Sequence, residues 1–221
     1  MQYFNKSFLN FFKELEKNNN KGWFDENRSI YETEIKKPFE IFTLDLSNEI
    51  KKFDPEILVE PKNSIFRINK DIRFSKDKSP YKLNRSCAIS KHGKKDHGSP
   101  GYYVEISAKK IGLAGGAWAP SPEHLAMIRQ EIAYHMKDFK KLIEDKKFKD
   151  SFGVVQGEKY KKVPKEYAEE ALLQPLLYNK QFYYWKELPA SLITSDQLLK
   201  TIVADFKTVK LLNQFFRKAM E

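Results

Sequence analysis

The spacing of apolar residues changes period twice along this chain, and that limits the folds open to it. Up to residue 53 the period is helical. Phe4, Phe8, Phe11, Phe12 and Leu15 recur at three- and four-residue steps, and the Asn18-Asn19-Asn20 run ends the stripe. A second helix is predicted from about Gly22 to Lys37. Pro38 then breaks or kinks the chain and opens a third helix that buries Phe39, Phe42, Leu46, Ile50 and Phe53. Asp54-Pro55 closes it.

Between Ser64 and Trp118 the period is two. Ser64 to Phe74 is predicted as a long strand, with Phe66, Ile68, Ile72 and Phe74 on its core face and Arg67, Asn69, Asp71 and Arg73 on its polar face. Further strands are predicted over Leu83 to Ser90, Tyr102 to Ala108 and Ile111 to Trp118, and short connections favour an antiparallel meander.

The helical period then returns. Ser121-Pro122-Glu123 supplies a cap, a first-turn proline and a first-turn acid, and the helix is expected to run to about Lys146. A short helix follows over Tyr167 to Tyr178, and Ser195-Asp196 opens a last one with Leu198, Ile202, Phe206, Val209 and Phe216 inward. Helices, strands and helices again predict an α+β fold. Its antiparallel sheet has four or five strands over about 62–118, with 181–186 as the optional one. No Gly-, Ser- or Pro-rich linker interrupts the sequence, so residues 1–221 are expected to form one domain.

Charge is distributed unevenly. From Arg67 to Lys95 there are ten bases and two acids, Asp71 and Asp77, which is +8 of the whole chain's +10. So local an excess attracts anions: phosphate, nucleic acid or an acidic metabolite. No segment has the length of apolar residues a membrane span requires, and the N-terminus has no secretory pattern, so a cytoplasmic protein without a membrane partner is expected. The one cysteine, Cys87, sits in an apolar run and reads as a buried thiol.

The polar face of the Ser64–Phe74 segment is the main candidate site. Arg67 and Arg73 would offer planar forks to a phosphate or carboxylate, with Lys76, Lys78 and Lys82 adding charge. Asp71 would orient an arginine or act as a general base, and Glu105 would join the lining. Gly115 and Gly116 precede the capped helix at Ser121, where a backbone can approach a ligand, and Arg129 lies two turns into that helix. The structural alternative for Arg67, Asp71 and Arg73 is an ion-pair network on a solvated face. His92, Asp96 and His97 match no standard metal-ligand spacing, and the penicillin-type Ser75-x-x-Lys78 pattern lacks its partner motifs. No metal is expected, and no cofactor is implied. This reading favours an anionic small molecule, with or without chemistry. The alternatives are a nucleic-acid binder using the basic 67–95 segment, or a structural or interaction protein without a ligand.

The motifs carry a resemblance. Asn20-Lys21-x-Trp23-Phe24 with Asn27-Arg28 and Tyr31 is one landmark, and Arg67-x3-Asp71-x-Arg73-Phe74-Ser75-Lys76-Asp77-Lys78-Ser79-Pro80-Tyr81-Lys82 is the longest. Gly115-Gly116-x-Trp118-x-Pro120 with Leu125 and Arg129, and Gly157-Glu158 before Lys161-x-x-Pro164-Lys165, complete the set. In these the chain resembles the bacterial domain-of-unknown-function 2461 family. The resemblance implies that the central motif is a family hallmark and supplies no activity to carry over. It has departures. Lys70 stands where the family pattern more often has Arg, and Glu166-Tyr167-Ala168-Glu169-Glu170 replaces a Gly and acid–His–Pro step. Any role that needs a histidine there does not transfer.

Overall fold

The computed structural model describes residues 1–221 except Val59 and Asp96. Helix α1 (Lys6–Lys17) starts where the Asn5 side chain accepts from the Ser7 and Phe8 amides, and it buries Phe8, Phe11, Phe12 and Leu15. Asn20 caps α2 (Lys21–Glu26) by accepting from the Trp23 amide. After Asn27 the chain runs through Arg28–Ile30, a wide turn at Tyr31–Lys36 and α3 (Lys37–Phe53) with helical torsions throughout. Pro38 therefore begins no separate rod. A proline has no amide to give to the carbonyl four residues back. The turn before it is of the π type, in which the Lys37 amide reaches five residues back to Glu32.

Four antiparallel strands follow in chain order: β1 (Asn84–Ile89), β2 (Gly101–Ser107), β3 (Lys110–Ala117) and β4 (Phe182–Pro189). In register, Cys87, Val104 and Leu113 lie side by side and are fully buried. One residue along, Ala88, Tyr103, Ala114 and Trp185 align and face the other way, partly open. The buried face lies under α3 and the last helix.

The predicted strand over Ser64 to Phe74 does not form. Ser64 ends a short helix, α4 (Pro61–Ser64), and the next residues make only two isolated bridges, Ile65 to Cys87 and Asn69 to Tyr81. Beyond Asn69 the polar side chains bond to local backbone. Asp71 accepts from the Arg73 amide, Asp77 from the Ser79 amide, and Lys78 Nζ donates to the Ile72 carbonyl. Such bonds offer the chain an alternative to a ladder. Phe74, expected in the core row, is 95% exposed.

The predicted long helix after Ser121 is three: α5 (Pro122–Tyr134), α6 (Met136–Glu144) and α7 (Lys146–Phe152). The turns at His135 and Asp145 bring Phe139 against Phe215 and Phe216, and Phe148 and Phe152 against Tyr184. A short α8 (Ala168–Leu173) precedes β4, and α9 (Leu198–Ala219) closes the fold. Asp54, at the end of α3, is fully buried and accepts from Arg217 Nη2 on both oxygens, at 2.7 and 2.8 Å, and from the Tyr102 hydroxyl at 2.7 Å. The buried hydrophobic residues form one cluster that includes Phe4 and Ala219.

Candidate functional site

The Arg67–Lys82 motif forms a hairpin-like arm. The Asn19 side chain brackets the Tyr81 backbone, donating to its carbonyl at 2.9 Å and accepting from its amide at 3.0 Å. The Tyr81 ring stacks on Phe24 at 4.0 Å. The arm is closed by Lys82 to Ile68 and Lys70 to Pro80 backbone bonds, both 2.8 Å. Its tip projects into solvent. There Arg73 grips Asp71 through Nε at 3.0 Å and Nη2 at 2.7 Å, and Lys70 reaches Asp77 at 2.7 Å and Ser79 at 2.6 Å. The Arg73 contacts, with a smaller contribution from the Arg67 charge, hold the Asp71 carboxyl at about 2. Lys70 and Ser79 push Asp77 below the ordinary carboxylate range as well. A carboxylate held that low is a poor proton acceptor at neutral pH. Arg73 is 75% exposed along its side chain, and Lys76 and Lys78 are exposed too.

Arg67 is set apart from that tip. It lines a cleft of about 860 Å³ between the arm and the helical segment from Phe24 to Leu44. Six bases line this cleft (Arg28, Lys36, Lys62, Arg67, Arg85 and Lys94), against two acids, Glu32 and Glu40. Three of the bases are engaged. Lys36 pairs with Glu32 at 2.6 Å, Arg28 pairs with Asp25, and Lys94 Nζ donates to the Lys62 and Ile65 carbonyls.

Arg85 is different. It lies on the core-facing row of β1 and is 4% exposed. Nη1 donates to the Phe66 carbonyl at 2.9 Å, while Nε has no hydrogen-bond partner. The guanidinium lies over the rings of Phe39 at 5.4 Å and Tyr31 at 5.9 Å. Burial depresses its pKa, opposed by Tyr31, Cys87 and, at longer range, Glu40 and Glu32. Among the described residues no carboxylate forms an ion pair with it. Lys82 is half-buried beside it, over the Phe66 ring at 5.3 Å. Its pKa is lowered first by burial, then by Arg85 and Arg67, with Glu105 pulling the other way.

The other predicted residues lie elsewhere. Glu105, Gly115 and Gly116 line a second cleft, on the sheet. The two glycines also serve packing. A Cβ on Gly115 would stand 2.3 Å from the Tyr184 hydroxyl, and Gly116 has φ +93° with its amide on Asn213 Oδ1 at 3.1 Å. Arg129 lines neither cleft and donates to the Leu177 and Asn179 carbonyls at 2.9 and 3.0 Å. The structure thus brings Asp71 together with Arg73, and Arg67 near Lys82, but not all of these into one depression. Among the described residues no three His, Cys, Asp or Glu side chains gather as a metal would require. The His92-Asp96-His97 combination includes Asp96, which lies outside the described residues.

Sequence reasoning passed over Arg85 as a site residue. The signal was its position: an arginine two steps before Cys87 and four before Ile89 shares their apolar row.

Compared with known proteins, residues 7–215 match the model of a family described as conserved hypothetical protein, DUF2461. The chain belongs to this family. No curated protein matches it. Among the described residues no helix is long and apolar enough to cross a membrane.

Proposed function

We propose that this DUF2461 protein is a soluble, cytoplasmic binder of a small molecule carrying a phosphate or carboxylate, held in the cleft between Arg67 and the buried Arg85. Arg85 carries the reading. An isolated charge taken out of water costs several kcal/mol, so buried arginines normally meet carboxylates. This one keeps Nε unpartnered at the wall of a cleft with six bases. A bidentate anion would complete its fork, and Arg67 and Lys82 would add charge from the arm. Asp71 and Arg73 satisfy each other at the tip, so their role here is to shape the arm. If the bound molecule reacts, the cations would stabilise developing negative charge.

The test is thermal shift with inorganic phosphate, citrate and sugar phosphates. Wild type gains Tm with rising anion by mass action. Arg85→Met keeps the volume, removes the unpaired charge and loses the anion-dependent shift, while its ligand-free Tm stays near wild type or rises. A shift of equal size in Arg85→Met, or none in wild type, would refute the reading.

Phe74 favours a second reading. A 95%-exposed ring under Arg73, with Lys76 and Lys78 beside it, suits stacking on a nucleic-acid base. Oligonucleotide binding with a log–log salt slope of roughly −4 or steeper, lost in Phe74→Ser, would support it. One phosphate in a cleft gives a shallow salt dependence.

A further inference from the structure

On the face of the sheet turned away from α3 and α9 lies the second cleft, of about 600 Å³. Its floor has small residues, Ala88 and Ala114, on either side of Tyr103, with Gly101 and Gly116 paired near one end. Its walls are aromatic, formed by Phe66, Tyr103, Trp118, Tyr183 and Trp185.

The rings are held from several sides. The Trp185 indole lies across Gly112, where a Cβ would stand 2.3 Å from its Cη2. Its Nε1 donates to Glu187 at 3.2 Å, and Lys110 Nζ sits 5.9 Å from the ring. Trp118 meets Tyr183 edge-on at 4.7 Å, and Phe66 meets Tyr103 at 6.2 Å. A contiguous aromatic surface, fixed in place and left open, marks a binding site. Among the described residues that line it, one carboxylate faces the rings. Glu105 Oε2 accepts from the Tyr103 hydroxyl at 3.0 Å. Lys94 and His97 also line the cleft.

We infer that this cleft binds a planar nitrogen heteroaromatic ring of purine size, stacked on Trp185 and donating an N–H to Glu105. The alanines beside Tyr103 and the glycine pair leave room for a ring where larger side chains would fill the space. A lone ammonium group, the other guest of aromatic cages, would leave most of about 600 Å³ empty. A carboxylate that already accepts from a tyrosine hydroxyl still has acceptor capacity for an amino or ring N–H. The inference does not depend on the cationic cleft, because the ring alone carries it.

The experiment uses uncharged nucleosides, which offer the cationic cleft nothing to hold. Two of the three tryptophans, Trp118 and Trp185, line the sheet cleft, so tryptophan emission reports on it. Adenosine and guanosine are expected to quench emission saturably, and purine riboside, which lacks the exocyclic amine, to bind several-fold more weakly. Ala114→Leu fills the floor and should weaken binding at least tenfold. Glu105→Gln keeps the shape of the side chain and should narrow the gap between adenosine and purine riboside. Circular dichroism and Tm confirm that each variant is folded, and either variant alone suffices if the other is not. A short single-stranded oligonucleotide is the parallel arm. Tighter binding of the oligonucleotide, also lost in Ala114→Leu, assigns the ring to nucleic acid, and equal or tighter binding of the nucleoside assigns it to a free metabolite. Absence of saturable quenching by any nucleoside, or undiminished binding in a folded Ala114→Leu, overturns the inference.

Discussion

Arg85 and Cys87 stand two residues apart on one row of β1, and burial acts on them in opposite directions. It lowers the pKa of the base and raises that of the thiol from the ordinary 9.0 to about 12. Both shifts disfavour the charged form. Cys87 should therefore resist a thiol reagent at pH 8 in the folded protein and react at the normal rate in denaturant; equal rates would show an exposed thiol. The neutral-thiol contribution to stability is fully present below pH 9 and is lost as pH climbs toward 12. Gly116 is a second residue whose chemistry is decided by its surroundings. At φ +93°, a Cβ there would sit 2.1 Å from the Phe182 carbonyl oxygen. Gly116→Ala should cost at least about 2 kcal/mol, roughly 4–8 °C in Tm for a chain this long. A loss under 1 °C would mean that the backbone where β3 pairs with β4 relaxes freely.

At the scale of elements, the arm from Ile65 to Lys82 shows how a period-two pattern fails to become a strand. Its base is anchored by buried Ile68 and Tyr81, and by Asn19 from the link between α1 and α2. Its tip has only local bonds. Truncation should separate the two. Ile68→Ala should cost about 2–4 kcal/mol, whereas Phe74→Ser should stay within about 0.5 kcal/mol. Comparable losses, measured by urea unfolding, would mean the Phe74 ring docks in solution. The tip also has a pH signature. The carboxyls of Asp71 and Asp77 are depressed in the folded state, so their pairing is fully present above pH 4 and is lost as pH falls through about 2 for Asp71. Both groups are exposed, and salt should weaken this effect. The continuous run through Tyr31–Lys36 into α3 is the complementary case. Sequence reading places a break at Pro38, yet the wide turn before it absorbs the missing amide.

Across the whole molecule, one contiguous cluster of buried residues and the Asp54–Arg217 pair, 163 residues apart in sequence, link the two ends of the chain. We propose on this basis that residues 1–221 fold as one cooperative unit. Urea unfolding should show a single transition by both far-UV circular dichroism and tryptophan emission, and two separated transitions would divide the chain into domains. Arg217→Met leaves Asp54 buried with only the Tyr102 hydroxyl and should cost about 3 kcal/mol or more. A neutral outcome would mean that water reaches Asp54.

The α+β class, the strands at β1, β2 and β3, the cap at Ser121 and the family relationship were legible in the sequence, because period, capping chemistry and motif are local properties. The Arg67–Lys82 motif was legible as a unit too, though not its shape. Alternation of side chains describes a strand only if a neighbour completes its ladder, and among the described residues no strand pairs with Asp71 to Ser79. Tertiary structure alone decided that Arg73 and Asp71 pair at a solvent-exposed tip and that Arg129 serves backbone carbonyls. It also left Arg85, an unremarked member of a basic run, buried with no carboxylate paired to it among the described residues. Such outcomes depend on which groups lose water together, and burial of that kind is set by contacts between residues far apart in the chain.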